Sequence, residues 1–353
     1  MKKIIALFIG LSWILFATAQ PANYYNSANG LTGNQLKIAL HNIIKGHTSI
    51  SYAQIWNAYW STDNKGNGVV WDMYSDRPSG TPAYTFYLGQ NQCGNYAGEG
   101  DCYNREHSWC QSWFNDQATP RTDLHHIFPT DGYVNGRRSN NPFGEVRSAS
   151  WTSSNGSKLG TCKTPGYSGV VFEPIDEYKG DFARALMYMS VRYYSEDSGW
   201  GNSEMTNKSE IKAWAIDMLL RWNELDPVSQ KEIDRNNAIY NDYQHNRNPF
   251  VDHPEYARMI WDPTWNVVEE MQEVICLFPN PVDPGQTLHV SGNCNAFDAI
   301  AICDLCGRTL IKATGNAVDD FVVTLPNGFA KGCYIVKLMR NDTVMKFEKL
   351  LVK

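Results

Sequence analysis

Two neighbouring stretches decide how this chain is read: Asn104-Arg105-Glu106-His107-Ser108-Trp109-Cys110-Gln111-Ser112-Trp113-Phe114, and TDLHHIFPTDGYVNGRRSNNPFGEVR at 122–147. Within about forty residues they gather His107, His125 and His126, several carboxylates, Asn135 and the Arg137-Arg138 pair. Taken singly each is weak, since a lone histidine is more often a satisfied hydrogen-bonding residue than a catalyst. Taken together they form a chemical set. A hard divalent cation such as Mg²⁺ takes one or two oxygen ligands from protein and keeps several waters, so a carboxylate and an amide oxygen suit it. A neutral histidine alongside can deprotonate water near pH 7. Arginines hold phosphate oxygens in bidentate geometry. The set suits metal-assisted hydrolysis of a phosphodiester.

Around this cluster, residues 61–170 are rich in Gly, Asn, Ser and Tyr and read as loop. Helical periodicity flanks it. Leu36, Ala39, Leu40, Ile43 and Ile44 predict a helix over 32–44, with Thr32 and Gln35 as a capping box and Gly46 as the stop. Further helical patterns cover 181–194, 209–223, 228–245 and 254–261. From Cys276 the composition shifts to short β-rich runs. Strands are expected at 322–325, 334–339 and 344–352, in a small sandwich of about 75–80 residues.

The chain ends bound the class. Residues 1–19, MKKIIALFIGLSWILFATA, show a basic start, an apolar stretch and an A-x-A site, so a cleaved signal peptide and export are expected. No other run approaches the ~18 apolar residues of a membrane span. With 353 residues and 42% hydrophobic content, two folded domains are expected rather than a disordered chain. Nine cysteines in an exported protein permit disulfides. The formal charge of −6 becomes −8 once Lys2 and Lys3 are removed, and 273–353 is neutral, so the acidity lies in 20–272. That excludes a histone-like protein and looks wrong for a nucleic-acid substrate. However, 104–147 balances five Arg against five carboxylates, and a bound cation would make it locally positive. Weak, strongly salt-sensitive substrate binding is the expectation.

NREHSW, DLHHIFPTDGYVNGRRSNNPFGEV and QHNRNPFVDHPEY at 244–256 together resemble the endonuclease I family of secreted bacterial nucleases, across most of 24–262. The resemblance implies an α+β fold: a mainly helical nuclease domain (20–272) around a ββα-metal, or His-Me finger, core, followed by a small all-β sandwich (273–353). It implies His107 as general base, Glu106 and Asn135 as Mg²⁺ ligands (Mn²⁺ or Ca²⁺ being the alternatives), and Arg138 as a further catalytic group. Glu106-His107 would lie on or just after a strand and Asn135 on the crossing helix. Arg105, Asp123, His125, His126 and Arg137 would support the site or bind phosphate. Arg247, Asp252 and His253 would brace it. The implied activity is endonucleolytic cleavage of DNA, and of RNA too, with little sequence preference and 5′-phosphate products, by an exported monomer. The family usually has Pro where this chain has Cys110. Four cysteines, 93, 102, 110 and 162, allow three full pairings, and Cys93–Cys102 with Cys110–Cys162 is the expected one.

LFPNPVDPG at 277–285, DLCGR at 304–308, LPNGFAKGCYIVKL at 325–338 and KFEKLLVK at the end resemble the C-terminal sorting domain of type IX secretion, which implies the secretion machinery as a partner. A carbohydrate-binding sandwich is the competing reading, and it is disfavoured because this tail has no Trp and only Tyr334. Two rival functions stand beside the nuclease. One is a zinc hydrolase built on His107, His125, His126 and a nearby Cys, although the spacing matches no HExxH pattern. The other is a non-catalytic glycan-binding or adhesin protein, against which the intact Glu106, His107 and Asn135 set argues.

Overall fold

The computed structural model describes residues 20–262, 264, 276–291, 297–314, 320–340 and 343–353. The expected leader and the expected boundary at 272/273 lie outside these residues. The chain divides into two compact units that meet at Pro263/Thr264.

The first unit begins with α1 (Gly33–Ile44) and α2 (Ile55–Thr62). The periodic apolar face of α1 is buried through Leu36, Leu40 and Ile44. Thr32 stands at its N-cap without making a side-chain cap bond. The reciprocal capping box occurs instead at Ser229 and Glu232 of a later helix. Strands β1 (Tyr103–His107) and β2 (Ile127–Asp131) form an antiparallel pair, and β2 runs straight into α3 (Gly132–Arg138). A three-stranded antiparallel sheet follows, β3 (Val146–Thr152), β4 (Lys158–Cys162) and β5 (Val170–Glu173), in the order β3-β4-β5. The region expected to be loop, 61–170, therefore contains four strands, the start of a fifth and the helix α3. Its strands escape a pattern reading because β3 exposes Arg147 to Ser150 and so shows no apolar alternation.

Helix α4 (Lys179–Arg192) is buried at every position from Gly180 to Arg192, as befits a helix with neighbours all round. After a two-residue ribbon, β6 (Thr206–Asn207) with β7 (Glu210–Ile211), come α5 (Ala213–Leu225) and α6 (Gln230–Ala238). The helix expected from 209 starts four residues later because Glu210 and Ile211 pair with β6. The one expected over 228–245 is α6, widened into a π turn over Ile239–Gln244. Short helices α7 (Pro249–Asp252) and α8 (Tyr256–Trp261) close the unit.

The second unit is all β: β8 (Cys276–Phe278), β9 (Thr287–Ser291), β10 (Ala299–Cys303), β11 (Thr309–Thr314), β12 (Asp320–Thr324), β13 (Gly332–Arg340) and β14 (Thr343–Val352). They form two antiparallel sheets, β11-β10-β13-β14 and β12-β9-β8. Leu288, Val290 and Val323 from one sheet share a core with Ile300, Ile302, Val336, Leu338 and Leu350 from the other. The DLCGR motif is a turn in which the Asp304 carboxylate accepts from the backbone N–H of Cys306 and Arg308.

Candidate active site

Pairing of β1 with β2 sets Glu106 opposite Phe128 and His107 opposite Ile127. Alternation along β1 then sends its side chains to two faces. Asn104 and Glu106 turn to α3, where they meet Asn135 and Arg138. Arg105 and His107 turn the other way, towards Tyr52. Asp131, the last residue of β2, is also the N-cap of α3. Its Oδ1 accepts from Val134 N–H at 2.8 Å, so strand and helix are locked at one residue.

Glu106 is 2% exposed and Arg138 is 1% exposed. The Glu106 Oε1 accepts from Arg138 Nη1 at 2.6 Å and from Tyr74 Oη at 2.8 Å. Burial pushes the Glu106 carboxyl above its ordinary value, against the opposing pull of Arg138 and Tyr74. The remaining Arg138 donors go to the carbonyls of His107 (2.9 Å), Ser108 (2.8 Å) and Asn141 (3.2 Å). Arg138 therefore ties the Glu106 side chain to the backbone at the end of β1. Asn135, half-buried, donates its amide N–H to Asn104 Oδ1 at 2.7 Å. That bond spends the nitrogen and leaves the Asn135 carbonyl oxygen to accept. Glu106, His107, Asn135 and Arg138 line a polar cleft of about 110 Å³, which Arg105 and Gln111 also border.

His107 is 4% exposed, and its Nε2 lies 3.0 Å from the carbonyl oxygen of Arg121. A carbonyl only accepts, so Nε2 carries the proton and Nδ1 keeps the lone pair. Burial, reinforced by the His126 ring 5.4 Å away, pushes its pKa down to about 3. The ring is thus neutral at pH 7, in the form that accepts a proton.

Behind His107, the turn 123–126 hangs on Asp123. Its carboxylate accepts from Tyr188 and Tyr193 hydroxyls at 2.9 and 3.0 Å, from Gln244 Nε2 at 3.0 Å and from His125 N–H. Burial would raise this carboxyl, but His47, His125, His126 and the Gln244 amide outweigh it and hold it well below the usual range. Burial pushes His125 and His126 down to about 4. Nε2 of His125 contacts the Asn246 carbonyl and that of His126 the Pro120 carbonyl.

Residues 32–255 match the Endonuclease I family. The chain belongs to the endonuclease I family. It is 40% identical over 262 residues to an extracellular ribonuclease of Bacillus amyloliquefaciens, covering 71% of this chain and 82% of that one. An extracellular ribonuclease of Bacillus subtilis (strain 168) is 39% identical over 255 residues, 69% of this chain and 80% of that one. Endonuclease-1 of Buchnera aphidicola subsp. Acyrthosiphon pisum is 27% identical over 131 residues, 37% of this chain and 44% of that one.

For this endonuclease I chain, the structure brings Glu106, His107, Asn135 and Arg138 to one cleft. It leaves Asp123, His125 and His126 in the buried support. Arg137 is exposed, its guanidinium 5.3 Å from the Trp151 ring. In the 244–256 block, Gln244 and Asn246 hold the Asp123 turn. Arg247 and Asp252 form a bidentate buried pair at 2.7 Å that also takes the Tyr25 hydroxyl. His253 is partly exposed and pairs with Glu255.

One disulfide expectation is corrected. Cys93–Cys102 is bonded, but Cys110 and Cys162 are both free and buried. Cys110 follows β1 and points to the Ser139 carbonyl after α3, whereas Cys162 ends β4 and turns to Thr164. Zinc finds no set of ligands: among the described residues, no three of His, Cys, Asp and Glu group to hold a metal. Sequence reasoning passed over Asn104, Tyr74, Tyr52 and Arg121. Asn104 alone carried a signal, standing two residues before Glu106 and so on its face of the strand.

Proposed function

We propose that this chain is an exported, metal-dependent endonuclease that cuts RNA and DNA with little sequence preference, its active site being a ββα-metal core formed by β1, β2 and α3. The observation that carries the reading is the cleft where a buried carboxylate, an amide oxygen and a neutral histidine converge from β1 and α3. The family membership and the names of the two Bacillus relatives support it, and those names favour RNA as a substrate.

Glu106 and Asn135 would hold the cation. Carboxylate and amide oxygens are hard donors, which fits Mg²⁺, with Mn²⁺ or Ca²⁺ as alternatives. When bound, the cation supplies positive charge against the negative charge that develops on the phosphate. Arg138 acts as a positioning residue: its guanidinium holds the Glu106 carboxylate and the His107 backbone in register. His107 takes a proton at Nδ1 from a water, the resulting hydroxide attacks phosphorus, and the 3′-oxygen leaves with a proton from solvent. The product keeps a 5′-phosphate. A pKa near 3 makes a weak base in the protein alone, but an anionic phosphate beside the ring raises it towards the working range. Arg121 and Arg137, both exposed, would meet phosphate. Recognition centred on phosphate reads neither base identity nor, of necessity, the 2′-hydroxyl.

The second unit is read as a type IX sorting domain that delivers the enzyme across the outer membrane, on the strength of its motifs. In the described residues, no helix is long and apolar enough to cross a membrane. The test is digestion of supercoiled plasmid and of a long RNA, each with Mg²⁺ and with EDTA. Cleavage of both in Mg²⁺ alone is expected. Cleavage that persists in EDTA refutes the metal-dependent reading, and an intact RNA substrate refutes the assignment of RNA.

A further inference from the structure

The face of β1 that carries His107 continues outward into a run of aromatic rings and guanidinium groups. Tyr52 stacks beside His107, ring centroids 6.1 Å apart and planes within 21°. Arg105 lies over Tyr52 at 3.6 Å and over Trp56 at 4.4 Å, and Arg121 lies over Tyr52 at 4.4 Å. On α2, Trp60 follows Trp56 by four residues, hence on the same helix face.

Trp60 is 51% exposed, which is unusual for so large an aromatic ring. It is nonetheless held in place from beneath. Its ring atoms come within 3.7 and 3.5 Å of where a Cβ would sit on Gly68 and Gly89. Both glycines have positive φ, 75° and 76°, so side chains there are disfavoured by the backbone, and the two positions lie at van der Waals distance beneath the ring. The buried face of α2 is made by Ile55, Ala58, Tyr59 and Thr62, so folding has no use for Trp60 in the core. A single exposed apolar residue needs no explanation. A fixed ring continuing a cationic aromatic run from the candidate base does.

We propose that Tyr52, Trp56 and Trp60, with Arg105 and Arg121, form a track on which the bases and phosphates of a single-stranded nucleic acid lie as it leads away from His107. The proposal rests on the nuclease reading of the cleft and adds the strandedness of its preferred substrate. Aromatic faces stack with any base and guanidinium groups track the backbone, which gives tight but sequence-tolerant binding of single strands. Bases paired in a duplex are stacked on one another and do not offer their faces to the rings.

The experiment compares the full chain with Trp60→Ala, Trp60→Phe and a surface control, Leu225→Ala, which alters the highly exposed Leu225. It measures kcat/KM in Mg²⁺ on a 12-nucleotide single strand and on the same sequence as a duplex. Binding of the labelled single strand is followed separately in EDTA, where turnover is stopped. Trp60→Ala should lower the single-strand to duplex ratio by about 5- to 150-fold, through KM rather than kcat. Trp60→Phe should restore most of it, and Leu225→Ala should leave it alone. An unchanged ratio, or equal losses on both substrates, overturns the track. Should the wild type cut neither substrate, the EDTA binding decides. Single-strand affinity lost only in Trp60→Ala keeps the track while the nuclease reading falls, and no affinity in the wild type removes both.

Discussion

The two units of this chain bury different things. The first encloses Arg138, Arg184 and Arg247, each at most 1% exposed, together with Glu106, Asp123 and three histidines of the 107–126 segment. Among the described residues of the second, the buried side chains are apolar apart from Tyr334 and Cys303. Buried charges cost several kcal/mol each to desolvate, and apolar replacements of similar volume are often at least as stable. A unit that needs only to fold has no reason to carry them. The first unit buries ions on β1, α3 and the Asp123 turn, where they hold polar groups at fixed positions beside the cleft, and also on α4 and α6, where Arg184 pairs with Glu232 and Arg235 with Asp63. Its polar interior serves geometry and the second unit's interior serves stability alone.

That contrast can be broken or sharpened by substitution. His107→Ala should lower the cleavage rate by about 10²- to 10⁴-fold, the usual worth of a general base, with the melting profile of both units intact. Arg138→Met should destabilise the first unit by about 3–5 kcal/mol, because it strands the buried Glu106 charge. Adding Glu106→Gln to it should recover part of that stability without recovering activity, as a double-mutant cycle by chemical denaturation would show. Leu338→Ala should cost about 2–5 kcal/mol in the second unit and leave the nuclease rate untouched. A rate change there would mean that the second unit contributes to catalysis.

Acid should also separate the units. His107, His125 and His126 have folded pKa values of about 3, 4 and 4, below the unfolded value near 6.5. Between those limits the unfolded chain binds more protons, so their contribution is complete above about pH 6.5 and is lost as the pH falls towards 4. Three such groups give a slope of at most ~4 kcal/mol per pH unit, opposed over the same range by buried carboxyls such as Asp72, which burial pushes up to about 7 and whose folded form therefore holds the extra proton. The second unit buries no histidine among its described residues and should not share that slope. Calorimetry between pH 4 and 7 reads both. Asn135→Ala is expected to act through the cation, raising the Mg²⁺ needed for half-maximal rate by roughly 10- to 100-fold, with partial rescue at high Mg²⁺. The smallest effect is salt: moderate salt should weaken substrate binding by an amount set by the few exposed arginines, and a flat profile would argue against phosphate contacts.

The legible and illegible parts of the sequence divide along the same line. Periodicity revealed α1 and the long strands β13 and β14, because one face of each packs on an apolar core. The Glu106-His107 pair and Asn135 were legible as local motifs, and β1 and α3 are where they stand. Arg138 read as a group for substrate, yet its helix turns it inward onto Glu106, a direction that spacing does not encode. Tyr74 reaches Glu106 from 32 positions away and Gln244 reaches Asp123 from 121. Partnerships so distant leave no local pattern. Cysteine spacing could not choose among three pairings, and the free Cys110 and Cys162 show that not all of them need pair. Strand β3, exposed on most of its residues, lacked the alternation by which strands are recognised.

Chemical rescue tests the central claim most directly, that His107 supplies the base in a site built by β1 and α3. The variant His107→Gly, shown to be folded, is assayed on RNA in Mg²⁺ with and without free imidazole. The account predicts loss of cleavage and its partial return with imidazole, rising as the pH passes the pKa of free imidazole. Cleavage by His107→Gly at the wild-type rate without imidazole would contradict it.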